Sequence, residues 1–118
     1  MKLTWYSQSC VLIETEKAKI LIDPFLTGNP LATIKPEDVT PDYILVSHGH
    51  GDHIGDTVQI AKRSGAMVIT NFEIHNWLQS QGITNTHPQH IGGGFTYPWG
   101  RVKLTIAHHG SALPDGSY

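Results

Sequence analysis

Six consecutive residues, His48-Gly49-His50-Gly51-Asp52-His53, place three imidazoles and a carboxylate on one short stretch of chain. Neutral imidazole and carboxylate are ligands for zinc and similar divalent ions. A tight loop lets alternate side chains point at one centre while their neighbours point at a second, so the spacing predicts a metal site with room for two ions. Gly49 and Gly51 fit this expectation, because glycine lets the backbone pass close to an ion. The plain alternative is a histidine-rich surface loop arising from composition, which purification tags imitate. A tag sits at a terminus, whereas this cluster follows a strongly apolar run and precedes a helical pattern, the setting that a built site needs. Cys10 is the only cysteine and lies far away in sequence, which excludes a cysteine-type structural zinc knuckle. A His/Asp site remains, of the kind that keeps positions open for water or substrate.

The elements that must position the cluster are legible in the periodicity. Residues 43–47 form a continuous apolar run, the pattern of a strand buried on both faces, and the histidine loop hangs from its C-terminal end. Upstream, residues 3–6, 10–14 and 19–22 are rich in aromatic or β-branched types and read as an antiparallel meander. Asp23-Pro24 ends the third run, and Gly28-Asn29-Pro30, Lys35-Pro36 and Thr40-Pro41 punctuate a long loop. Downstream, the spacing predicts a helix over 56–63 with Val58 and Ala61 facing inward, then a strand over 66–70. A second helix runs from an Asn71 cap to Gln81, with Ile74, Trp77 and Leu78 as its apolar stripe and Gly82 as its stop. This β-α-β-α progression after a meander makes the fold class α/β, a mixed sheet with helices.

Residues 84–91 are polar and read as irregular, with His87 and His90 solvated. Residues 95–97 are expected to pair with 101–107 across Pro98-Trp99-Gly100. Gly92-Gly93-Gly94 is followed by no helix, so it reads as a bulge or flexible turn rather than a phosphate loop. Trp5, Trp77 and Trp99 are expected to fill the core or cap its edge. Cys10 reads as a core residue, His75 as a helix-face residue, and Asp56 as a helix cap close enough to support a metal ligand.

With 118 residues, 39% hydrophobic and 15% charged, the sequence reads as one globular domain over 1–118. The net charge of −2, with few and scattered Lys and Arg, speaks against a nucleic-acid footprint. The N-terminus shows no apolar stretch of the secretory type, and a single unpaired cysteine suits a reducing compartment, so the expected location is the cytoplasm, with no membrane partner.

His48, His50, Asp52 and His53, in the pattern H-x-H-x-D-H after a buried strand, resemble the signature of the metallo-β-lactamase superfamily. The flanking text, Leu21-Ile22-Asp23-Pro24-Phe25-Leu26-Thr27-Gly28-Asn29-Pro30 and Ser47 through Asp56, is similar to the UPF0173 metal-dependent hydrolases, relatives of the L-ascorbate-6-phosphate lactonases. The resemblance implies that His48 and His50, with a later histidine, hold one metal, and that Asp52 and His53 hold the second. The later ligand falls in Thr105-Ile106-Ala107-His108-His109-Gly110-Ser111, where His109 is favoured by the text that follows it and His108 is the alternative. Asp23 resembles a carboxylate that orients a metal-bound histidine. Where the family carries a histidine in text like Gly-His-Ser, this chain has Ser7-Gln8-Ser9, in which Gln8 can still hydrogen-bond.

The family fold is an αββα sandwich of two similar halves, the second supplying a bridging aspartate and a last histidine. The resemblance therefore reads this chain as the N-terminal half, with a sheet face left uncovered and a homo-oligomer or a complementary half-domain as partner. The implied activity is hydrolysis of an ester, lactone, phosphoester or amide bond in a small-molecule substrate. One or two divalent ions serve as cofactor, zinc foremost, with manganese, iron or nickel compatible. Such an ion lowers the pKa of bound water to roughly 7, and Asp52 would orient that water. The alternative is a catalytically silent metal-binding or assembly fragment.

Overall fold

Two tight links force the N-terminal strands into neighbouring positions. The computed structural model describes residues 1–117, and the domain end expected at Tyr118 lies outside them. β1 (Lys2–Trp5), β2 (Val11–Glu14) and β3 (Lys19–Ile22) pair antiparallel, as links of four or five residues permit. From β3 to β6 each pairing is parallel and needs a crossover: β4 (Tyr43–Leu45) beside β3, β5 (Met67–Asn71) beside β4, and β6 (Thr86–Gln89) beside β5. The sheet order is therefore β1-β2-β3-β4-β5-β6. α1 (Gly51–Ile54) and α2 (Thr57–Ser64) make the crossover from β4, and α3 (Phe72–Ser80) makes the one from β5. The α/β class with a mixed sheet is what the structure has.

Strand alternation divides the sheet into two unlike faces. Leu12, Leu21, Ile44 and Val68 lie in one cross-strand row and bury themselves against Ile60 and Ala61 of α2 and Ile74 and Leu78 of α3. α3 starts where the cap was expected, with Asn71 Oδ1 accepting from Ile74 N at 3.0 Å. On the opposite face a hairpin of β7 (Gly94–Tyr97) and β8 (Gly100–Lys103) covers β4 to β6. The Tyr97 and Trp99 rings lie 6.0 and 5.2 Å from Tyr43, and Phe95 lies 4.4 Å from His87. Beside this cover the same face opens towards β1: Ile20 of β3 is still buried, Val11 and Ile13 of β2 are half-buried, and Leu3 and Trp5 of β1 remain 62% and 69% exposed.

Several expectations need correction. Residues 84–91 are not irregular: Thr86–Gln89 is the edge strand β6, where Pro88 is tolerated because an edge strand need not use every N–H. Its polar side chains find partners, Thr86 with His75 at 2.6 Å and His87 Nδ1 with the Tyr97 hydroxyl at 2.5 Å. His87 is therefore half-buried rather than solvated, while His90 is exposed. The hairpin is shorter than expected, since β8 ends at Lys103 and not at 107. Trp5 is on the surface, not in the core. Asp56 makes no side-chain cap; its carboxylate accepts from the backbone N–H groups of Leu26 and Thr27 at 3.1 and 2.8 Å, tying the long loop to the start of α2.

Candidate metal centre

The cluster sits where the parallel strands end, with the chain turning through Ser47 into the loop and then into α1. Two backbone devices hold that loop in place. At Gly55, φ is +42°, and a Cβ there would meet the Pro24 carbonyl oxygen at 2.4 Å, so only glycine lets the loop press onto Asp23-Pro24. At Gly49, a Cβ would come within 1.7 Å of the Ala112 carbonyl oxygen, and the Gly49 N–H donates to Ser111 Oγ at 3.2 Å. Gly49 thus serves a close approach of two backbone segments. Nothing lies within 4 Å of a Cβ built on Gly51.

That approach docks the 109–113 segment against the loop and brings a distant imidazole with it. One ligand atom each from His48, His50 and His109 lie within 4.8 Å of one another. The His109 ring is 4.9 Å from that of His48 and 5.3 Å from that of His50. His109 is therefore the member of the His108/His109 pair that meets the loop, and His108 is exposed outside this triad. The His53 ring lies 4.1 Å from that of His48, tilted by 47°, and its Nε2 lies 3.9 Å from Asp52 Oδ2. Among the described residues, Asp52 and His53 gather no third donor into a cluster of their own.

Hydrogen bonding fixes which nitrogens face the centre. Asp23, 3% exposed, accepts from Ser47 N at 2.7 Å and from Ser47 Oγ at 2.6 Å, and lies 2.8 Å from His53 Nδ1. A carboxylate only accepts, so His53 directs Nδ1–H at Asp23, and Nε2 is the nitrogen left for another partner. Ser47 has one hydroxyl proton, committed to Asp23, so at 2.9 Å it accepts from His48 Nδ1–H and leaves His48 Nε2 for another partner as well. His48 Nε2 then lies 3.0 Å from His50 Nδ1, a bite that suits either a shared proton or a shared cation. Burial holds the His48 pKa below its ordinary value, and the neighbouring His53 and His50 rings push it the same way, which favours the neutral, ligating form. Ser47 was not singled out from the sequence; a polar residue closing an apolar strand was the available signal. Asp23 occupies the orienting position expected of it, with φ at +43°. Gln8 reaches the loop, its Nε2 donating to Asp52 Oδ2 at 2.8 Å.

Three imidazoles with a carboxylate and a fourth imidazole alongside form a donor set that fits a divalent transition metal. Residues 2–115 match the family described as beta-lactamase superfamily domain. The chain belongs to that family. Its relatives include the UPF0173 metal-dependent hydrolase of Carboxydothermus hydrogenoformans, 56% identical over 116 residues that make up 98% of this chain and 51% of the relative. One from Bacillus cereus is 54% identical over 115 residues, 98% of this chain and 50% of the relative. Among solved structures, Igni18, a metallo hydrolase from the archaeon Ignicoccus hospitalis, superposes with a TM-score of 0.84 at 32% identity, covering 92% of this chain and 49% of Igni18. An isothiocyanate hydrolase from Delia radicum gut bacteria, with a TM-score of 0.61 at 23% identity over 76% of this chain and 42% of that one, shares the fold. The chain spans about half the length of the curated relatives it matches. In this chain the six-stranded sheet and its helices carry the H-x-H-x-D-H loop, and no helix among the described residues is long and apolar enough to cross a membrane.

Proposed function

We propose that this chain carries the metal-holding part of a cytoplasmic hydrolase that cleaves an ester, lactone, phosphoester or amide bond in a small molecule. The observation that carries the reading is the convergence of His109 with His48 and His50, residues far apart in sequence that offer three ligand atoms within 4.8 Å of one another. His48, His50 and His109 would hold one divalent ion, and Asp52 and His53 would contribute to a second. Zinc suits these donors best, with manganese, iron and nickel compatible. When bound, such an ion supplies an activated water and a Lewis acid for the bond under attack. The protein's own part is orientation. Asp23 and Ser47 hold the His48 and His53 rings through their Nδ1 atoms and leave Nε2 of each for a cation. Asp52, exposed beside them, is the group placed to orient a water and take up its proton. As partner for the bare sheet face we propose a second copy or a complementary half-domain.

A second reading is supported by the Asp52/His53 pair, which lacks a third donor among the described residues: a chain that binds one ion and turns nothing over by itself. Metal analysis of the purified chain, with hydrolysis assays on generic phosphodiester and lactone substrates, separates the two. The expected result is at least one ion per chain, lost in His48→Ala and in His109→Ala, with turnover that falls alongside it. Bound metal without turnover selects the second reading. Less than one ion per chain, with His48→Ala unchanged, ends both.

A further inference from the structure

We propose that Gln8 is a positioning residue for Asp52, held in a strained turn so that its carboxamide grips one oxygen of the motif carboxylate. The inference rests on the metal reading above. The link between β1 and β2 is closed by Tyr6 N–H donating to the Cys10 carbonyl at 2.9 Å and Cys10 N–H donating to the Ser7 carbonyl at 3.1 Å. That closure drives Ser7 to φ +80° and Gln8 to φ +53°. Glycine or asparagine is the residue a positive-φ turn favours, since any other side chain adds strain. Here two successive residues bear that strain, and the second sends its side chain across to a residue 44 positions away. Strain of this kind persists where surrounding structure maintains it and tends to gather at functional sites.

The turn is also pinned from outside, because Trp5 Nε1 donates to the Gln8 carbonyl at 3.0 Å. At its tip, Gln8 Nε2 lies 2.8 Å from Asp52 Oδ2. An ionised carboxylate cannot donate, so it is the NH₂ and not the carbonyl of the amide that faces it. Oδ2 is thereby held between the amide and the ring of His53, whose Nε2 is 3.9 Å away, and Oδ1 is left without a partner among the described residues. An exposed aspartate on a loop otherwise samples several rotamers, and that freedom is lost when it ligates. The Gln8 amide removes the freedom beforehand by fixing Oδ2, and leaves Oδ1 as the oxygen without a protein partner.

The test compares wild type with Gln8→Met, which keeps the length and removes the donor, and with Ser7→Gly, which relieves strain and keeps the amide. In the metal-free chain, NMR χ1 couplings of Asp52 report whether the carboxylate holds one rotamer. Cobalt(II) titration followed by its visible spectrum reports the ions. Wild type and Ser7→Gly are expected to show one Asp52 rotamer, and Gln8→Met averaged couplings. Cobalt uptake involving Asp52 is expected to weaken about tenfold or more in Gln8→Met, the size of effect seen when a partner of a metal ligand is removed. Gln8→Gly is expected to melt higher than Gln8→Met, because it sheds the strain as well as the amide. Unchanged Asp52 couplings in Gln8→Met overturn the inference and leave the metal reading standing. A wild-type chain that takes up no cobalt overturns the metal reading and, with it, the purpose assigned to Gln8.

Discussion

Cys10 is fully buried behind the metal loop, and burial pushes its thiol from an ordinary value of 9.0 up to about 12, with the Asp23 and Asp56 carboxylates adding to the shift. A raised thiol pKa means that the fold favours the neutral form. Its contribution to stability is therefore whole below pH 9 and is lost as pH rises towards 12. Tyr97, buried between the hairpin that carries it and the sheet and raised to about 12, acts in the same direction above its own ordinary value of 10.0. Two outcomes follow for the metal-free chain. At about pH 8 a thiol reagent should label Cys10 only as fast as the protein unfolds, because neither the thiolate nor a path to it exists in the folded state. The melting temperature should fall between about pH 9 and 11, less steeply in Cys10→Ala. Complete labelling of the folded chain within minutes, measured by mass spectrometry beside circular dichroism, contradicts this account.

The histidine loop and the 109–113 segment meet backbone to backbone at Gly49 and Ala112. The segment has no strand or helix of its own, so its position depends on that contact and on the partial packing of Leu113 against the core. Gly49→Ala cannot keep both backbones where they are. The expected result is a chain with intact far-UV circular dichroism whose metal affinity falls about tenfold or more, because a displaced His109 leaves two histidines where three had converged. Competition with a chelating dye measures it, and an unchanged affinity would show that the approach does not set the position of His109. The sequence made much at the scale of elements legible and some of it not. The meander, β4 and the Asn71-capped α3 were readable because their apolar residues recur at the period of the element they form. β6 was not, because Thr86, His87 and Gln89 satisfy their polarity across the fold, with His75 and Tyr97, and such pairings leave no local periodicity. Asp56 looked like a cap for the same reason that Asp usually is one, and its partners Leu26 and Thr27 lie 30 and 29 positions away. The motif residues were readable as donors, but which later histidine reaches them depends on a backbone approach 62 residues distant, which spacing alone does not encode.

At the scale of the whole molecule the two sides of the sheet are unequal. Helices α2 and α3 seal one face, while on the other the β7–β8 hairpin covers β4 to β6 and the cover thins out towards β1. Register places Leu3 beside Ile13 and Trp5 beside Val11, with Ile22 next in the row, so these side chains form a continuous apolar strip on the uncovered part. β1 is also an edge strand, with one row of backbone groups free to pair. An apolar strip next to an open edge favours association, by burial at roughly 25 cal/mol per Å² of apolar surface and by strand addition. The isolated chain is therefore expected to self-associate, its weight-average mass in sedimentation equilibrium rising towards twice the monomer value with concentration. Leu3→Lys places a charge on the strip and at the edge, leaves the Trp5–Gln8 hydrogen bond and the histidine centre untouched, and should shift the chain back to monomer. Wild-type chain that stays monomeric at every concentration, with no gain in solubility from Leu3→Lys, would mean that the strip is tolerated by solvent as it stands.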